Sequence, residues 1–506
     1  MLKENNPFSH QVPVLVAAVN VILALTYLHR ATKHSPIPFS DPETCISNAR
    51  SIMNSLAAGH HDLLALQVLL GLVMLNLGTL GLSTASSLIG SAIKLAHKLR
   101  LHNSRTNALL DDATSLQRAR VFWIAYILDR DISFRRCDPP LQQENDHDIA
   151  VPYSSQGRGL VRFVTASGAE VYLDLFQTWV HLARIQGDIY EQLYSVRAET
   201  QPLDTQRRNK DLIHLMLREW LATIPAELHP DRFSGLSPEP AAGQLVVLYF
   251  TYLACFLQTH RVGSHDAEWI ARLVNYSQSV VESADPGLEP DFSFMSALPP
   301  FIEPSTVWAE VVGAARECIK LFRVIDQDDS KLIWYLHTPP PLFRSPRFMY
   351  LLLHFLSIPT CIHTKTNFKS DTNRRNVACT YIASALVLIA NALTVSEHRC
   401  SADTDAQLIA EALAFFERST ALVPGCVGFR KMHAACAELS CRARIARARF
   451  ALDLGGPSKP ASVAWLEAEA RRSAGHSALA LVEAFTTAEV KPFGAAVVAG
   501  RISAPT

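Results

Sequence analysis

The stretch "RVFWIAYILDRDISFRRCDPP", residues 120–140, decides the fold. From Val121 to Leu128 every residue is apolar or aromatic; Asp129, Arg130 and Asp131 then follow without a break, and Pro139 and Pro140 close the run. Phe122, Ala125, Tyr126 and Asp129 stand at i, i+3, i+4 and i+7. That is the period of an α-helix, and it carries Asp129 onto the aromatic face. A carboxylate there needs a partner, because burying an unpaired charge is prohibitive. Arg130 points about 100° away along the helix. The expected partners of Asp129 are therefore helix N–H groups or an arginine from another segment, while Asp131 and Arg135 are expected to pair at i, i+4 nearer solvent.

Outward from this helix the same period recurs. Upstream, Ala85, Leu88, Ile89, Ala92, Leu95, Ala96 and Leu99 form one apolar face, with Ser83 or Thr84 as the expected N-cap. After the polar loop "NSRTN" (103–107), the central helix is expected to begin between Asp112 and Ser115, with Thr114 or Ser115 as its cap. Downstream, helical patterns cover 175–196, 206–224, 243–261, 308–325, 348–363, 377–393, 406–422 and 430–454. The β-prone piece "RFVTASGAEVYL" (162–173) is isolated, and isolated hairpins are marginal in water. Breaks rich in Pro, Gly, Ser or acidic residues fall at 35–42, 139–158, 229–243, 283–305 and 455–462, and helical periodicity resumes after each. The predicted fold class is all-α, a large multi-helix array of regulatory-domain type, with residues 1–506 as one helical domain.

Hydrophobic residues at 49% and charged residues at 19% exclude global disorder. Basic and acidic residues both total 47, so the chain lacks the positive excess of an autonomous nucleic-acid-binding domain. Short basic groups occur at 206–210, 373–376 and 442–449; the last spreads its arginines around a helix and is expected to be a solvated face. The apolar N-terminal run is broken by Pro13 and Asn20, is shorter than the ~20 residues of a membrane span, and has no signal-peptide frame, which predicts a buried core helix. The ten cysteines contain no C-x-x-C pair, so no metal site is expected, and free thiols are.

Catalytic patterns fail on inspection. "DQDD" (326–329) sits where helix caps and first turns place acids. "GHSAL" (475–479) lacks the second glycine of a nucleophile elbow. His60 and His61 are adjacent, would point apart on a helix, and stand in "LAAGHHDLLALQVLL", which reads as a loop followed by a helix N-terminus; neither a phosphate loop nor a dinucleotide fingerprint is present. No catalytic residue, cofactor or metal is predicted, and the chain is not expected to be an enzyme.

The order of pieces from 87 to 152 is distinctive: "SLIGSAIKLAHKLRLHNS", a polar loop, then "QRARVFWIAYILDRDISFRRCDPPLQQENDHDIAVP". This succession of L-x-L-H, R-x-R-V-F-W, L-D-R, P-P and an acidic stretch ending in D-I-x-V-P resembles the fungal-specific transcription factor domain, the middle homology region of fungal zinc-cluster regulators. The close match covers about 60–152, with looser similarity through 180–195, 217–228, 248–261 and 315–326. The resemblance carries over, as structural motif residues, Arg118, Arg120, Trp123, Asp129, Arg130, Pro139 and Pro140. Departures stand at Leu116, where the family has Glu; at Ala119, within a basic triplet; and at Cys137-Asp138-Pro139, where it has G-R-P. On this resemblance the chain is expected to begin inside the domain, without the six-cysteine zinc cluster and its basic linker. It implies a nuclear transcription regulator, of a kind tied to metabolite biosynthesis clusters, that meets DNA only through a zinc-cluster segment or a partner protein, with a dimer and a small-molecule effector among its expected partners and no membrane. The competing reading is a small-molecule-sensing or protein-interaction module without DNA contact.

Overall fold

The computed structural model describes residues 11–30, 62–79, 82–152, 160–165, 167–230, 240–260, 267–282, 307–322, 375–394, 402–422 and 433–445, with short pieces at 47–48, 51 and 232. Among them helix dominates and strand is confined to one hairpin, so the fold is all-α as the periodicity predicts.

Helix α1 (Gln11–Arg30) runs unbroken through Pro13, tolerated in the first turn, and through Asn20, whose amide donates to the Val16 carbonyl at 2.8 Å. It buries Ala17, Ala18, Val21 and Ala24 against α2 (Leu63–Thr79). Gly71 permits that approach, since a Cβ there would overlap the Val21 side chain. No helix among the described residues is long and apolar enough to cross a membrane. Helix α3 (Leu82–Lys98) begins at or before Leu82, so Ser83 and Thr84 lie within its first turn rather than capping it. The expected polar loop contains a short helix, α4 (Ser104–Asn107), capped by Asn103.

The central helix α5 (Asp112–Arg136) starts at the first of the expected positions, but its cap is neither Thr114 nor Ser115. Asp111 is its N-cap, accepting from the Thr114 amide at 3.0 Å, because a carboxylate three residues back outcompetes the hydroxyls of Thr114 and Ser115. Helix α5 packs on α2, α3 and α4 and on α6 (Leu175–Ile189). Every residue from Val121 to Phe134 is buried, so this stretch of α5 is enclosed on all sides and not merely along one stripe.

A hairpin, β1 (Val161–Val164) and β2 (Glu170–Leu173), stands before α6 with Val161 opposite Leu173. The expectation that this piece would be marginal is corrected by its packing: Phe163 and Leu173 are buried in the main core. Helix α6 passes into a π-helical turn (Tyr190–Tyr194), followed by α7 (Val196–Glu199), α8 (Leu203–Ala222) and α9 (Pro240–Thr259). Helix α10 (Ala267–Glu282) has no counterpart among the patterns read from the sequence. Helices α11 (Val307–Phe322), α12 (Arg375–Thr394) and α13 (Ala402–Leu422) pack together, and α9 joins them to α6 and α8. The last helix among the described residues, α14, covers 433–445. One hydrophobic cluster extends from Ala17 to Ala443. The segment 348–363, "DQDD", "GHSAL", His60 and His61 lie outside the described residues.

Candidate functional site

The motif pieces at 99–152 converge on α5, and the chain after that helix, residues 137–152, folds back along it as a strap. The helix ends where Cys137 adopts a left-handed φ of 52°. The Cys137 amide donates to the Phe134 carbonyl and the Asp138 amide to that of Ser133 at 3.0 Å, a paired C-terminal closure that favours glycine at position 137. That is where the resembled family carries glycine. Here the thiol is buried, accepts from Gln258 Nε2 at 3.4 Å, and is pushed up to about 11 by burial.

Asp129, fully buried, receives the turn that Pro139 and Pro140 create. Its Oδ2 accepts from the Leu141 amide at 3.0 Å and the Gln142 amide at 2.9 Å. Neither a helix terminus nor an arginine supplies these donors. They come from the strap, because the two prolines turn the next two N–H groups back toward α5. Burial pushes the Asp129 carboxyl up and the two amides pull it back. Pro140 also accepts from Gln143 Nε2 at 2.8 Å, while Pro139 is exposed.

Arg130 leaves α5 on another side. Its guanidinium lies 4.6 Å from the Tyr126 ring centroid and pairs with Glu144 Oε1 at 2.6 Å. The Tyr126 hydroxyl donates to the same Glu144 oxygen, and His147 Nε2 lies 3.4 Å from the other. Burial pushes Glu144 up, but the His147, Tyr126 and Arg130 groups outweigh it and hold the carboxyl at about 2. Gly187 of α6 makes this fit possible, since a Cβ there would stand 3.0 Å from Arg130 Nε and 3.2 Å from Cζ. Beside it, burial, followed by the neighbouring Glu144 and Glu191 charges, pushes Asp188 up to about 6.

Asp131 and Arg135 do pair, at 2.7 and 3.0 Å through two hydrogen bonds. The pair is nearer solvent than Asp129, as the spacing predicts, but it is largely enclosed: the side chains are 11% and 14% exposed. The three successive charges thus take three directions, and each meets its own partner.

Trp123, also fully buried, donates to the Ala150 carbonyl at 3.0 Å and packs edge-on against Phe122, Tyr126 and His147. Arg118 donates to Asn107 Oδ1 and to the Leu99 carbonyl, both at 2.7 Å, tying the end of α3 to α5. Arg120 is exposed. The strap's far end is secured by Asp148, which accepts from the Ser104 amide and hydroxyl, each at 2.6 Å. Glu144, Gly187, Gln142 and Asp148 were not singled out from the sequence; the acidic stretch 144–148 was visible, but nothing in its spacing told which acid faces α5.

Three further buried polar groups lie elsewhere. His260 Nε2 meets His214 Nδ1 at 3.0 Å, and His214 Nε2 meets Glu310 at 3.2 Å; burial, then His214 and Lys210, hold His260 down at about 3. Arg316 grips Asp405 at 2.6 and 2.9 Å, and Asp405 accepts from Asn391, which accepts from Trp308. Arg442 is buried against Glu438 and Ser277, which corrects the expectation that the basic group starting there is wholly solvated. Among the described residues no group of three or more His, Cys, Asp or Glu could hold a metal.

Residues 2–222 match the model of the fungal specific transcription factor domain. Two relatives described as ABC-transporter-regulating transcription factors, from Aspergillus oryzae and Aspergillus fumigatus, are each 30% identical over 322 residues, covering 63% of this chain and 34% of theirs. The Fusaridione A cluster transcription factor fsdR of Fusarium heterosporum is 29% identical over 187 residues, 37% of this chain and 35% of its own. The chain therefore spans about a third of the length of these relatives. No solved structure matches.

Proposed function

We propose that this chain, whose residues 2–222 carry a fungal specific transcription factor domain, acts in the nucleus as the regulatory part of a zinc-cluster-type transcription regulator. The family match carries this reading, and the relatives' names support it. With 47 basic and 47 acidic residues the chain supplies no general attraction for phosphate, so sequence-specific DNA contact comes through a zinc-cluster segment or a partner protein. Trp123, Asp129, Arg130 and Pro140 serve to fasten the strap to α5 in this reading, and Arg118 ties the end of α3 to the same helix; Arg120 and Pro139, both exposed, belong to the same motif. No catalytic role is assigned to any of them. The helical array works as one regulatory unit.

The relatives' names give the target genes to examine first, those for ABC transporters, and second a metabolite biosynthesis cluster. The test is transcript profiling after deletion of the gene in its own fungus, with a fluorescent fusion to follow the protein. A nuclear fusion and a coherent change in one of these gene sets is the expected result. A protein excluded from the nucleus, whose deletion leaves transcript levels unchanged, contradicts the proposal.

A further inference from the structure

Helix α8 carries a second ordered face that the core does not use. Lys210, Ile213, Leu217 and Trp220 are buried on its inner side. On the opposite side Arg208, Leu212, Leu215, Glu219 and Ala222 are exposed and Thr205 is half-buried. Leu212 and Leu215 are 49% and 51% exposed, an unusual position for two leucines one turn apart on a helix whose inner side is already packed. These six positions follow one another at steps of three, four, three, four and three, the seam of a heptad repeat that keeps one line facing a partner helix. The line extends about 26 Å.

Its order is what identifies the partner. Read forward the seam is Thr-Arg-Leu-Leu-Glu-Ala, and read backward Ala-Glu-Leu-Leu-Arg-Thr. Laid antiparallel on a second copy about a twofold axis between Leu212 and Leu215, Arg208 of each chain faces Glu219 of the other. Leu212 then faces Leu215, and Thr205 faces Ala222. Every layer is complementary, as an isologous contact requires. Asp211 and Arg218 flank the seam on one side, and the same axis brings each toward its opposite charge on the other copy. A binding site for an unrelated helix has no reason to be complementary to its own reversal.

We propose that the exposed face of α8 is a homodimer interface in which two copies of this chain pair antiparallel through Leu212 and Leu215, with Arg208 and Glu219 setting the register. A contact of this length is a small interface, so self-association is expected at a Kd on the order of 10 µM.

Sedimentation velocity of the full chain from about 1 to 200 µM tests it, and the charge pairs make the test specific. Arg208→Glu places Glu against Glu twice in a homodimer, and Glu219→Arg places Arg against Arg twice. Each variant alone is expected to raise Kd roughly 30-fold, the effect of turning two exposed attractions into repulsions. Mixed one to one, the two variants face each other only through opposite charges, and a heterodimer of near wild-type affinity is expected. Circular dichroism of each variant separates loss of pairing from loss of folding. Should either charge reversal unfold, the Leu212→Ser/Leu215→Ser chain replaces it and must be monomeric. A wild-type chain that stays monomeric throughout this range leaves the seam to a different protein and overturns the proposal. So does a dimer indifferent to the single reversals, or folded variants whose mixture fails to pair.

Discussion

Replacing Asp129 by alanine removes the carboxylate that holds the Leu141 and Gln142 amides at 3.0 and 2.9 Å, in a site without solvent access. A hydrogen bond to a charged group contributes about 1.5 to 3 kcal/mol, so the gross loss is roughly 3 to 6 kcal/mol. Part of this is returned, because the variant no longer carries the desolvation cost that pushes this carboxyl up. The net destabilisation expected for Asp129→Ala is about 3 kcal/mol. Asp129→Asn keeps one acceptor oxygen and drops the charge, and should cost about half as much. Exposed Arg120, on the same helix, is the control, with Arg120→Ala expected within about 0.5 kcal/mol of wild type. Urea unfolding followed by tryptophan fluorescence reads all three, and the comparison is valid where the slopes agree. Equal small shifts for Asp129→Ala and Arg120→Ala would refute the idea that the carboxylate secures the strap.

Gly187→Ala should cost about 1 to 3 kcal/mol, because its methyl meets the Arg130 guanidinium, and thermal unfolding measures it. At Cys137, with φ at 52°, Cys137→Gly should be nearly neutral, and β-branched Cys137→Val should lose about 2 kcal/mol in the same assay. His260 is held at about 3 when folded, so only the unfolded chain takes up its proton as pH falls below about 6.5. Stability is therefore full above that pH and declines below it, by at most about 2 kcal/mol from this group at pH 5, and His260→Gln should flatten the profile. Asp188 has the opposite sign: with its carboxyl raised to about 6, its contribution is present below pH ~4 and lost as pH rises through 6, so Asp188→Asn should stabilise the protein at pH 7. In gel-shift titrations at physiological salt the chain alone should bind duplex DNA only without sequence preference, at roughly 10⁻⁴ to 10⁻⁶ M.

Most helices were legible because their apolar residues recur at the helical period and their ends carry Pro, Gly or acidic breaks. Helix α10 escaped although Trp269, Ile270, Leu273, Val274 and Tyr276 recur at the helical period, because the polar stretches of sequence on either side drew the reading toward a break. The hairpin was underrated because its stability lies in Phe163 and Leu173 reaching a core made by helices far along the chain. That Asp129 is buried followed from its place on the aromatic face, and that Asp131 and Arg135 pair followed from spacing. What spacing along one helix cannot supply is what surrounds it. The burial of the Asp131–Arg135 pair, the choice of strap amides over an arginine, and the Arg130–Glu144 contact under Gly187 all depend on α6 and the strap closing around α5.

The strap's attachment to α5 can be observed directly by hydrogen–deuterium exchange of the full chain, in the peptide covering 137–152. The Leu141 and Gln142 amides donate to Asp129 and the Asp148 amide to the His102 carbonyl, so they should exchange as slowly as the buried turns of α5. Exchange of this peptide at the rate of an open loop, while α5 stays protected, would contradict the account.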